Sequence, residues 1–117
     1  MTRVRRNRRT LIKFDVYQFN VTVILSHNLA ATGSRLGADL CAGDIAAFIP
    51  GDPKTPKRTW IVFNLEPDEA TVAHEASHVV RYMLKYAGAR ADNEAFAYHL
   101  DYLVGRIHKF LKKGVRG

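Results

Sequence analysis

Three side chains in one short segment can do chemistry together: His74, Glu75 and His78 of His74-Glu75-Ala76-Ser77-His78. On an α-helix, positions four apart differ by only about 40° around the axis. Both imidazoles therefore leave one face, a turn apart, and can grip a single metal ion. The H-E-x-x-H pattern is the zinc-hydrolase arrangement, in which the glutamate reaches a metal-bound water as general base. The chemistry it implies is hydrolysis of a peptide bond: Glu75 takes a proton from the attacking water and returns it to the leaving amine.

Catalytic zinc usually has three protein ligands and one open position. Glu94, 16 residues after His78, is the first choice for the third. Asp92 is its nearest rival. His99 lies about 140° round a helix from Glu94 and fits a shared site less well. A longer pattern with a third His fails, because Arg81 and Leu84 stand where Gly and His are needed. The tetrahedral oxyanion also needs a donor. Tyr98 and His99 are both candidates, although Tyr98 reads first as a half-buried helix aromatic. Asp101 could accept the far ring N–H of a metal-bound His, or be a solvated charge. His27 and His108 read as surface or packing histidines.

These residues need elements to hold them. Residues 10–26 read as extended, with β-formers Phe14, Val16, Val21, Val23 and Ile24 and an interruption near Asn20. Residues 28–40 suggest a short helix, and 44–49 a strand. Residues 50–56, with three prolines and Gly51, make a loop. Thr59–Leu65 is the clearest strand, paired with 44–49. Its position just before the His-bearing segment makes its edge a candidate for pairing with an extended peptide, if it is not simply a core strand. Pro67 opens a helix, with Asp68 and Glu69 in its first turn. Val72, Ala76, Val79, Val80, Met83 and Ala87 form its apolar face, and Gly88 stops it. A last helix starts at Asp92 or Asn93 and carries Phe96, Leu100, Leu103, Val104, Ile107 and Leu111 as its stripe. The expected fold is α+β: a small twisted, mainly antiparallel sheet of three or four strands followed by two long helices.

The 117 residues suit one domain, 10–117, preceded by a basic arm at 1–9. The net charge of +7 is concentrated at the start. Arg3, Arg5, Arg6, Arg8, Arg9 and Lys13 face no acid within the first 13 residues. Such an arm is either a solvated terminus or a weak nucleic-acid contact, although it has no interleaved aromatics to stack on bases. Cys41 is the sole cysteine, so a disulfide framework is excluded. It reads as a small buried hydrophobe, and a reducing cytoplasm is expected. No stretch is apolar enough to span a membrane, and no signal-like apolar run follows the basic start.

His74-Glu75-x-x-His78 followed by Glu94 resembles the gluzincin arrangement, and the short chain resembles the minigluzincins, single-domain zinc peptidases. Residues 72–79 together with Asn93-Glu94-Ala95-Phe96-Ala97-Tyr98 are also similar to small phage-encoded proteins named as metallopeptidases by motif. The resemblance covers residues 59–104. It implies an edge strand before the active-site helix and a second helix delivering the glutamate ligand. It also implies Zn2+ held by His74, His78 and Glu94, Glu75 as base, and a peptide or protein substrate met in a bacterial or infected-host cytoplasm. Two other roles fit the sequence: a non-catalytic binding protein with a structural zinc site, and a nucleic-acid-associated protein that uses its arginine-rich arm.

Overall fold

The computed structural model describes residues 7–38, 40, 45–64, 67–87 and 93–113. Strand β1 (Arg8–Phe14) leads through a 3-10 turn (Asp15–Tyr17) to β2 (Phe19–Ser26). Helix α1 (Leu29–Arg35), β3 (Ala46–Ile49), β4 (Arg58–Asn64), α2 (Glu69–Tyr86) and α3 (Asn93–Lys113) follow. The sheet order is β1-β2-β4-β3. Both outer pairs are antiparallel and the central β2–β4 pair is parallel. The expected α+β architecture, a four-stranded sheet and then two long helices, is present.

Several boundaries move for local reasons. The interruption in the first extended segment falls at residues 15–18, where Gln18 takes the left-handed conformation (φ 52°). Asn20 instead lies in β2, and its N–H donates to the Lys57 carbonyl. β1 starts at Arg8, so Arg8 and Arg9 belong to the sheet and not to an arm. The short helix spans only Leu29–Arg35, capped by the Asn28 carboxamide, which accepts from the Ala31 N–H at 3.1 Å. Pro67 precedes α2 instead of opening it. The N-cap is Asp68, whose carboxylate accepts the Thr71 N–H at 2.7 Å. That bond holds the Asp68 carboxyl below the usual carboxylate range. Arg3, Arg5, Arg6, Cys41, Asp44, Leu65, Gly88 and Asp92 lie outside the described residues.

The two sheet faces bury different partners. Ile12, Phe14, Phe19, Val21, Val23, Ile61 and Phe63 point towards α2 and α3. There they meet Val72, Ala76, Val79, Val80, Met83 and Leu84, with Leu103, Ile107 and Phe110 from α3. The other face is covered more thinly, where Ile24, Leu29, Ile49 and Val62 pack with Leu36, Leu40 and Trp60. Ala87, expected on the apolar face of α2, is exposed, while Leu84 and Phe110 are buried where the periodicity had not put them. Among the described residues no helix is long and apolar enough to cross a membrane.

Candidate metal centre

Helix α2 lies across the β3 side of the sheet with its apolar face down. This turns His74 and His78 outward, and Glu75, one step round from His74, towards the interior. Both histidines are exposed, whereas Glu75 is 8% exposed. The two Nε2 atoms stand 3.1 Å apart. The Glu75 Oε2 lies 3.9 Å from the His74 Nε2. One ligand atom from each of the three residues falls within 4.8 Å of the others.

This donor set suits a metal. Two imidazole nitrogens on one tetrahedral zinc, each at about 2.05 Å, would stand about 3.3 Å apart. The observed spacing is close to that and equals an ordinary N–H···N bond, so the rings meet through the same atoms they would present to an ion. The His78 ring lies nearly parallel to Phe48 of β3 (centroids 6.3 Å, interplanar 13°). Beside His74 and Glu75 a depression opens, lined by Ile45, Ala46, Asp68, Ala70 and Thr71.

Glu94 does not join this group. Its side chain is exposed in the first turn of α3, and its carboxylate is not among the clustered ligand atoms. The reason is axial offset. The Arg81 guanidinium sits 5.5 Å from the Phe96 ring, so the returning helix starts near Arg81. At about 1.5 Å per residue, Glu94 then lies roughly 7 Å along the axis from the level of His78. Asp101, two turns further along α3, falls by the same count near the level of His74 and His78. It too is exposed and outside the group.

The oxyanion candidates are also elsewhere. The His99 Nε2 meets the Tyr17 hydroxyl at 3.1 Å, and its ring packs edge-on against Phe14 and Tyr17. That position is at the β1 end of the molecule. Tyr98 is 74% exposed, not half-buried. His27 is exposed and His108 half-buried, as surface or packing residues would be.

The strand edge expected beside the histidines is a different one. β4 is interior, hydrogen-bonded to β2 on one side and β3 on the other, so Trp60–Asn64 has no free edge. Among the described residues the free edge beside the histidines belongs to β3. Sequence reasoning missed Phe48 and the edge position of β3, because edge position is set by the parallel β2–β4 pairing and carries no local signal.

No family model matches the chain, and comparison with curated proteins and with solved structures gives no match.

Proposed function

We infer that the chain is a small zinc-dependent peptidase acting on an extended peptide segment. One observation carries the reading: a helix presents two imidazole Nε2 atoms 3.1 Å apart beside a buried carboxylate, next to a strand edge that is unpaired among the described residues. Zinc, when bound, would supply a Lewis acid and lower the pKa of water towards about 7. His74 and His78 would hold it. Glu75, buried and close to His74, would take the proton of the attacking water and pass it to the leaving amine. The outer edge of β3 offers N–H and C=O groups to an extended substrate. Glu94 or Asp101 would complete the ligand set through a shift of α3 or of its side chain.

The test uses Glu75→Gln. It is expected to retain one zinc per chain and to lose at least about 100-fold in cleavage of a casein or peptide-library substrate. A purified protein that holds no zinc, with unchanged activity in the variant, would refute the reading. A second reading is a metal-bearing binding module without catalysis, favoured by the fact that, among the described residues, only two imidazoles and one neighbouring carboxylate converge. It predicts bound zinc with no hydrolysis by either protein.

A further inference from the structure

Strand β1 and the C-terminal half of helix α3 meet on a second surface, distinct from the histidine pair. Residues 1–14 and 102–117 together hold 11 of the 18 lysines and arginines and not one acid. The remaining residues hold seven cations against 11 acids, a balance of −4. The fold brings the described parts of these segments, residues 8–14 and 102–113, side by side. The Arg8 guanidinium donates to the Phe110 carbonyl at 3.2 Å and lies over the Phe110 ring at 4.8 Å. At the other end of β1 the Tyr102 hydroxyl donates to the Lys13 carbonyl at 3.3 Å. Strand and helix thus run alongside each other. Between them lies a groove lined by Thr10, Ile12, Arg106, Lys109, Phe110 and Lys113.

The helix side of this groove has a distinctive order. Positions 98, 102, 106, 109 and 113 fall within an arc of about 80° and extend over about 22 Å. They are Tyr98, Tyr102, Arg106, Lys109 and Lys113: two aromatics, then three cations. All five are exposed, Tyr98 at 74% and Tyr102 at 41%. Tyr102 is held by its bond to Lys13 and by an edge contact with Phe14. Asp101 flanks the aromatic end. Arg9 and Lys13 add charge along the strand, on the opposite sheet face.

We propose that this α3–β1 groove binds single-stranded nucleic acid, with phosphates on Arg8, Arg106, Lys109 and Lys113 and bases stacked on Tyr98 and Tyr102. A basic track that ends in exposed aromatics is the pattern by which single strands are held without sequence preference, because every base offers a flat face. A duplex hides those faces and would leave the tyrosines unused. An anionic membrane would call for large apolar side chains along the stripe, and the stripe has only two tyrosines. The separation of charge, with an acidic remainder, orients a polyanion towards this end.

The test is fluorescence anisotropy of the full chain with labelled dT20. Four phosphate contacts on a single strand predict a log–log salt slope of about −3, or about fifty-fold weaker binding between 50 and 200 mM KCl. Lys109→Ala with Lys113→Ala should halve that slope. Tyr98→Ala with Tyr102→Ala should leave the slope unchanged and weaken binding at least about fivefold. Circular dichroism checks that each variant is folded, and the wild-type slope is a readout that does not depend on any variant. The proposal is overturned by any of three results. They are a duplex of the same length binding as tightly as dT20, dT20 binding without salt dependence, and binding only to phosphatidylserine vesicles.

Discussion

Zinc should raise the melting temperature of this protein through His74 and His78, and the size of the effect can be worked out. The rings already meet at 3.1 Å, close to the spacing a tetrahedral ion imposes, so binding requires little movement of α2. What is lost is one exposed N–H···N bond, worth at most about 1 kcal/mol. At free zinc one hundred times the dissociation constant, linkage contributes about 2.7 kcal/mol. An unfolding entropy of about 2.1 cal/mol/K per residue gives 117 residues about 0.25 kcal/mol/K, so the shift is about 11 °C. The assay is differential scanning fluorimetry of EDTA-stripped protein over a zinc titration. His74→Ala and His78→Ala should each abolish the shift, and His27→Ala, at an exposed site remote in the sequence, should not. Glu94→Gln and Asp101→Asn report which carboxylate completes the set, because the true ligand's variant needs more zinc for the same shift. A shift below about 2 °C at saturating zinc, or one that persists without both histidines, would refute the reasoning.

Two further outcomes test the frame that holds the site. Ile61 is fully buried at the centre of an interior strand, so Ile61→Ala should cost about 2–5 kcal/mol in urea denaturation. Asp68→Ala removes the N-cap of the His-bearing helix and should lower the melting temperature, whereas Asp68→Asn retains an acceptor for the Thr71 N–H and should do so less. Because the folded Asp68 carboxyl is held below its unfolded value, its contribution is present above the unfolded pKa of about 3.9. It is lost as pH falls through the lower folded value. The melting-temperature difference between wild type and Asp68→Ala should therefore shrink on acidification below pH 4.

The helical half of the molecule was legible because its signals are local. The α2 periodicity, the acidic first turn and the i, i+4 histidines all lie within a few turns, and they put His74, His78 and the buried Glu75 together. The strands were found for the same reason, with Phe63 and Ile61 inside as their residue types demand. What the sequence did not carry is who lies beside whom. β4 reads as the strand nearest the histidine-bearing helix, yet the parallel pairing with β2 makes it interior and passes the edge to β3. Glu94 stands only 16 residues after His78, but distance along the chain does not count helix rise, which carries it past His78. The basic N-terminus looked like an isolated arm lacking aromatics. Its aromatic neighbours come from α3, about 90 residues away, through the bond of Tyr102 to Lys13.

The parallel seam at the centre of the sheet also sets how the chain must assemble. Every β2–β4 pair joins residues 38 positions apart, from Asn20 with Arg58 to Ser26 with Asn64. The β1–β2 and β3–β4 pairs close much shorter loops. Loop closure therefore favours two early hairpins, and the seam forms once both exist. Until then β2 and β4 each present an unsatisfied ladder to any other chain in solution. At high concentration, β2 of one molecule can meet β4 of another with the same register and the same contacts. The rate of refolding and the tendency to exchange halves between molecules should thus respond to Val23, Ile24, Ile61 and Val62 at the seam, none of which lies among the histidine pair or the groove's own lining.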